Sequence, residues 1–420
     1  MRMHKLTPYI LPLGCLVLVL EIIALSAGKL APSIPVGASS NLQPTVFTPK
    51  FMGMHVLSPS RHWPTVPVGS IRPAGISWAA VETSKGKYDW RALDSWATAA
   101  QSHGVELDYL FLNTPQWAST RPNDSCNRGP VGCAAPPKPA DWEEFVTALV
   151  SRYKGRISSY ELWNEPNATG YWSGTPAQMV DMASSAYRII KSIDPHALVV
   201  TPSSASPGSP LSHDVWLDQY LTAGGGKYAD VIAWHGYSGR NDRPALPPED
   251  LAQQIAVIHA VLAKHNLSKL PLWNTEGGWG RDTQLPDLDQ QAAFLARWYL
   301  IQFTNGVSRA YWYQWDNAIW GTLWREESGV SPAGNSLQQV YDWLHDTTAS
   351  SPCQPQNSSI WSCDLMKGNA HYRVMWSTAG PTSYSDLQGF TSSTDLDGTR
   401  HAISAKSVTI GSRPTFFRVN

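Results

Sequence analysis

Two carboxylates occupy comparable places in this chain. Glu165 lies in "YELWNEPN" and Glu276 in "LPLWNTEGGW", each just after a short apolar run. Such runs read as buried strands, so both acids are expected at strand ends, where a fold presents groups to a cleft. A third run, "DVIAWHGY", ends in His235 and Tyr237. Two acids facing one cleft can divide the labour of breaking a sugar acetal. The protonated one gives its proton to the leaving oxygen, and the ionised one attacks carbon. Rival chemistries lack their groups. There is no GxSxG after a strand, no HExxH, and no CxxC pair or Cys/His cluster at zinc spacing. No metal and no cofactor is predicted. "GGGK" at 224–227 lacks the remaining spacing of a phosphate loop, so no nucleotide is predicted either.

The elements that must position these acids alternate regularly. Strands are predicted at 51–57, 69–75, 106–113, 157–163, 197–203, 230–237, 270–277 and 308–316. Helices are predicted at 91–102, 141–155, 175–193, about 213–223, about 249–265, 288–306 and about 335–345. Thr175 and Pro176 mark one helix start as N-cap and first helical residue, and Gly104 marks a stop. Apolar strands alternating with helices imply a parallel sheet, and eight such units over this span fit an α/β fold, the (β/α)8 TIM barrel. An open doubly wound sheet would want a Gly-rich loop after its first strand, and none is there. Glu165 then ends the fourth strand, Pro166 stops it, and Glu276 ends the seventh across the barrel mouth. After residue 350 short strands between Ser, Thr, Gly and Asp clusters read as a small C-terminal β-sandwich.

Composition bounds the partners. Of 420 residues 15% are charged and the formal net charge is -1, which supplies no broad basic field for nucleic acid. Tryptophan, at 20 residues, outnumbers both tyrosine at 16 and phenylalanine at 9. An indole face suits the apolar C–H face of a sugar, so a carbohydrate is the expected partner, although most of these rings belong to the core. Residues 1–27 read as an export signal: basic residues, an apolar stretch broken by Glu21, then Ala24, Ser26 and Ala27. Secretion or a periplasmic location is expected, and a membrane anchor is disfavoured by the short run. Residues 28–48 read as a linker rich in Pro, Ser and Gly, 49–348 as the barrel and 349–420 as the β-sandwich. Outside the signal, four cysteines form two close pairs, and the disulfides Cys126–Cys133 and Cys353–Cys363 are predicted.

"WNEPN" at 163–167 followed by "TEGGW" resembles the clan A retaining (β/α)8 glycoside hydrolases. "GISWAAVETSKGKYDW", "SRYKGRISSYELWNEPN" and "AYRIIKSIDPHALVVTPS" narrow the likeness to family 39, with family 5 as the other assignment. The resemblance implies an enzyme that cleaves an oligo- or polysaccharide through a covalent glycosyl-enzyme. It implies Glu165 as acid/base and Glu276 as nucleophile. Asn164 would hold the sugar 2-hydroxyl, Tyr237 the nucleophile, and Arg72 would keep Glu276 ionised. His235 would line the same wall, and His55 and Asn113 would touch sugar. Trp312 or Trp315 would be the platform under the central sugar, since alternation turns only one of Trp312 and Tyr313 inward. Trp279, like Trp117, Trp172 and Trp320, falls in a loop after a strand and is a candidate subsite wall. The alternatives are an exo-acting β-xylosidase-like enzyme and a barrel that binds carbohydrate without cleaving it.

Overall fold

The computed structural model describes residues 44–205, 212–238 and 244–419. The export signal and most of the expected linker lie outside these residues. Eight strands form one sheet: β1 (Met52–Val56), β2 (Ser70–Pro73), β3 (Glu106–Leu110), β4 (Ser159–Glu161), β5 (Leu198–Val200), β6 (Ile232–Tyr237), β7 (Leu272–Gly278) and β8 (Val307–Trp312). They pair in parallel in the order β5-β4-β3-β2-β1-β8-β7-β6. The last seam closes through fewer bonds. Thr201 N–H donates to Val231 O at 3.0 Å and His235 N–H to Ser204 O at 3.0 Å. The result is the expected (β/α)8 barrel.

After a single helical turn at Trp78–Val81, seven longer helices follow among the described residues: α1 (Arg91–His103), α2 (Pro139–Tyr153), α3 (Pro176–Ile193), α4 (His213–Thr222), α5 (Asp250–Lys264), α6 (Leu288–Thr304) and α7 (Pro332–Leu344). No helix lies between β1 and β2, which a loop connects. Side-chain spacing decides each buried face. Leu93, Trp96, Ala97 and Ala100 recur at helical intervals and face the barrel. Gly104 ends α1 at φ 65°, where a side chain would be strained. At α3 the Thr175 hydroxyl accepts from Gln178 N–H, and the Gln178 side chain accepts from Thr175 N–H, a reciprocal cap.

The barrel interior is layered by chemistry. Val200, Val231, Ala233, Trp273 and Tyr311 form an apolar plug. Gly53 makes room for it, because a Cβ there would lie 2.6 Å from Cγ of Tyr311. Nearer the mouth the interior turns polar, with Arg72, Asp108, Glu161, Ser203 and Thr275 all buried.

The C-terminal strands β9 (Thr348–Ala349), β10 (Ile360–Lys367), β11 (Ala370–Ser377), β12 (Phe390–Thr394), β13 (Arg400–Ala402) and β14 (Thr415–Val419) make an antiparallel sheet. A two-stranded sheet, Thr382–Tyr384 with Val408–Ile410, covers it, and Ile360, Met375, Phe390, Ile410 and Phe417 fill the space between. This is the expected small sandwich. Thr45–Val46, within the stretch read as linker, adds a strand beside β9. The sandwich is bonded to the helix layer: Trp376 Nε1 donates to Glu249 Oε1 at 2.6 Å, and Trp343 stacks on Phe416 at 5.5 Å. Both predicted disulfides are formed. No helix among the described residues is long and apolar enough to cross a membrane.

Candidate active site

Local backbone aims each acid. Beyond β4 the chain stays beside β5, with Glu165 N–H donating to Ser203 O at 2.8 Å. It then turns sharply. Glu165 takes φ 41°, a left-handed conformation costing about 1–2 kcal/mol for a residue with a Cβ. Pro166 forbids continuation of the strand. Asn167 staples the turn by exchanging two hydrogen bonds with the Ala205 backbone, at 2.8 and 3.1 Å. In β7 the register shifts between Asn274 and Glu276. The irregularity lets two consecutive residues face inward. Thr275 Oγ1 meets Ser203 and Glu161 inside the barrel, while Glu276 meets Arg72 and Tyr237.

The two acids converge. A carboxylate oxygen of Glu165, one of Glu276 and a ring nitrogen of His235 all lie within 4.8 Å of one another. Both acids keep some access, at 18% and 16% side-chain exposure. Their partners differ. Tyr237 Oη donates to Glu276 Oε1 at 2.7 Å and Arg72 Nη1 to Glu276 Oε2 at 3.1 Å, so each oxygen has a donor. Glu165 Oε1 accepts from His235 Nδ1 at 2.9 Å. Burial lowers the His235 pKa, but the Glu276 charge and the Glu165 bond outweigh it, and the net shift is upward. Burial and the neighbouring Glu276 charge push the Tyr237 phenol well above its ordinary value, so it stays a neutral donor.

Arg72 is the centre of a buried network. Its Nε and Nη2 donate to the two oxygens of Glu161 at 2.8 and 3.0 Å, and Nη2 also donates to Asn164 Oδ1 at 3.1 Å. Burial alone would favour its neutral form, yet Glu161 and Glu276 hold it charged. Glu161, fully buried, also accepts from Ser203 Oγ and Thr275 Oγ1. Deeper still, burial and the Glu161 charge push the Asp108 carboxyl up to about 8. Glu165, His235 and Glu276 are also the one metal-ligand cluster among the described residues. A cation there would face the Arg72 guanidinium, whose charge opposes it.

The other expected site residues divide. Asn164, 5% exposed, has its oxygen on Arg72, and its amide nitrogen has no partner among the described residues. His55 is 1% exposed and donates through Nε2 to Thr275 O at 2.8 Å. Burial and Arg72 hold it well below the ordinary imidazole range, so it is a neutral brace beneath the cleft. Asn113 is buried at φ 59°, and its amide donates to Arg128 O at 3.1 Å, tying down the loop after β3.

The tryptophan expectations are corrected. Trp312, Trp315 and Trp279 are all buried and present no face to a ligand. Trp312 points outward from the barrel, donates to Gly321 O at 2.7 Å, and packs between Trp279 and Trp298 at 4.9 and 5.1 Å. Alternation therefore turns Tyr313 inward. Its half-buried ring lies 5.0 Å from His55 and 6.5 Å from Tyr237, and burial and Glu276 push its phenol upward. Trp320 stands 6.5 Å beyond it, edge-on. On the opposite side Tyr171 is close enough to Glu165 and Glu276 for both charges, after burial, to raise its phenol. Tyr171 lay in the "YW" beside the acid motif, and Tyr313 was the alternation partner of Trp312. Glu161, within the fourth predicted strand, is open in the sequence to a place in the helix layer or a pairing inside the barrel; it pairs with Arg72, which is distant in sequence.

The fold, a (β/α)8 barrel with a C-terminal sandwich, is similar to that of several solved glycoside hydrolase structures. Over 90% of this chain it superposes on a family 39 glycoside hydrolase from Bacteroides cellulosilyticus WH2, with a TM-score of 0.68, 19% identity and 83% of that chain covered. A family 39 enzyme from Xanthomonas axonopodis pv. citri gives 0.59, at 15% identity over 90% and 95% of the two chains. The family 30 xylanase C catalytic domain of Talaromyces cellulolyticus gives 0.61, at 14% identity over 90% and 99%. In sequence, the chain is 27% identical over 190 residues to a β-xylosidase of Geobacillus stearothermophilus, 40% of this chain and 37% of that protein. It is 24% identical over 210 residues to endo-1,4-β-xylanase C of Paenibacillus barcinonensis, 44% and 18% of the two lengths. The chain thus spans well under half the length of the curated relatives it matches. No family model matches it. The likeness to clan A barrels, family 39 foremost, is borne out by these comparisons.

Proposed function

We propose that this protein is an exported retaining β-glycosidase acting on an oligo- or polysaccharide. One observation carries the reading: two cleft carboxylates whose oxygens approach within 4.8 Å and whose partners are unequal. Retaining pairs stand about 5–5.5 Å apart, too close for a water to fit behind the sugar. Glu276, held by a phenol and a guanidinium, is the nucleophile that attacks the anomeric carbon. Glu165, whose side-chain bonding partner among the described residues is the His235 ring, is the acid that protonates the leaving oxygen. Once Glu276 is esterified its charge is gone, and Glu165 takes a proton from the attacking water. Asn164, fixed through its oxygen, offers its amide to the 2-hydroxyl of the bound sugar. Tyr313 and Trp320 supply the apolar wall. The named relatives make xylan and xylo-oligosaccharides the first substrates to try, and the two disulfides support export.

The test is reducing-sugar release from β-linked polysaccharides and aryl β-glycosides, with Glu276→Ala as control. Release by the wild type alone establishes the hydrolase, and product lengths separate endo from exo cleavage. Silence across the panel from folded protein favours the barrel that binds sugar without cleaving it.

A further inference from the structure

Two arginines flank the acid pair, and neither has an acid partner among the described residues. On the β4 side the Arg128 guanidinium lies 5.0 Å from the centroid of Tyr171. On the β7–β8 side the Arg281 guanidinium lies 5.3 Å from the centroid of Trp320, and the two residues are bridged through their backbones. Both arginines are exposed. The nearby acids are already held: Asp124 by Arg121 at 2.7 Å, and Asp282 by Arg325 at 2.5 Å. Among the described residues the rim thus keeps two positive charges without an ion-pair partner, each laid against an aromatic ring of the cleft. A guanidinium resting on a ring loses little rotamer freedom when its fork engages an anion, and the fork matches a carboxylate or a sulfate. Loop construction supports a fixed position. Arg128 lies within the Cys126–Cys133 ring, and its carbonyl accepts from Asn113.

We propose that the cleft takes a glycan bearing anionic groups, carboxylate or sulfate, on sugars either side of the scissile bond, with Arg128 and Arg281 reading them. This rests on the glycosidase reading for the identity of the cleft. The overall charge of -1 is no objection, because recognition here is by two placed forks and not by a field.

The experiment measures retention of full-length Glu276→Gln protein in native gels. The gels contain glucuronoxylan or its carboxyl-reduced form, and dextran sulfate or dextran. At least one anionic glycan should bind about fivefold or more tightly than its neutral twin, and added salt should erode the difference. The carboxyl-reduced and unsulfated arms tell which anion is read. Arg128→Gln with Arg281→Gln should abolish the preference while leaving the melting temperature unchanged, since both side chains are exposed. Equal retention of both twins, retention of none, or a preference that survives the double variant overturns the proposal. Reducing ends released from neutral xylan without any anionic preference would remove this inference and leave the glycosidase standing. A clear preference with no release from any glycan would keep the inference and remove the glycosidase.

Discussion

Tyr237→Phe isolates one interaction at the nucleophile. The ring stays packed 6.5 Å from Tyr313, and only the hydroxyl that donates to Glu276 Oε1 at 2.7 Å is lost. A hydrogen bond to a charged acceptor contributes about 1.5–3 kcal/mol. Because the phenol is neutral at every workable pH, no titration of the tyrosine confuses the result. Without it the carboxylate keeps its hydrogen bond from Arg72 and the longer approach of His235 Nδ1 at 3.9 Å, both on Oε2, and can swing about that oxygen. If the bond fixes Glu276 for attack, the loss falls on formation of the glycosyl-enzyme, and about 1.5–3 kcal/mol converts to roughly a ten- to hundredfold fall in kcat/KM. Stability should change little, since water can reach the carboxylate, which is 16% exposed. The assay is kcat/KM on an aryl β-glycoside that the wild type cleaves, with melting temperature as the check on folding. A fall of less than threefold, or a rise in KM at unchanged kcat, refutes the orienting role.

Three further outcomes are expected. Glu165→Ala should spare aryl glycosides with very good leaving groups and regain rate with azide, whereas Glu276→Ala should be silent on every glycoside. Loss of all substrates alike in Glu165→Ala, without azide rescue, reverses the roles. Asp108→Asn should raise the melting temperature by more at about pH 8.5 than near pH 5, because the penalty it removes starts at the unfolded value of 3.8 and grows up to about 8. The Asp108 carboxyl, at about 8 against an ordinary 3.8, keeps a proton that the unfolded chain has released, so stability falls as pH rises between those values. An equal gain at both pH values contradicts this. Gly53→Ala should destabilise by about 1–3 kcal/mol through overpacking, because the added methyl meets the Tyr311 ring at 2.6–2.9 Å. An unchanged unfolding midpoint would show that the plug can yield.

The architecture was legible because its signals are local. Apolar runs named the eight barrel strands, helical spacing named the face of α1, and the Thr175–Pro176 start reappears as a capping box with Gln178. The acids were legible because strand ends converge in a barrel. What escaped depends on parity and distance. Whether Trp312 or Tyr313 turns inward is a matter of strand phase, which composition does not carry and which the irregular pairing of β7 with β8 disturbs. Tryptophan's affinity for sugar misdirected the choice of platform, since burial claimed Trp279, Trp312 and Trp315. The Arg72–Glu161 pair joins β2 to β4, and nothing near either residue announces the other. The Thr45–Val46 strand was hidden in a stretch whose composition reads as linker.

The left-handed turn at Glu165 has an evolutionary reading. At φ 41° glycine is the one residue that sits without strain. A chain drifting under selection for folding alone would gain about 1 kcal/mol by exchanging this glutamate for glycine. Glu165→Gly and Glu165→Ala should both lose proton transfer, yet the glycine variant should melt later, the difference measuring the strain. A carboxylate at that position is therefore a cost borne in thermal resilience. On the proposed acid role of Glu165, activity and durability pull in opposite directions at this position.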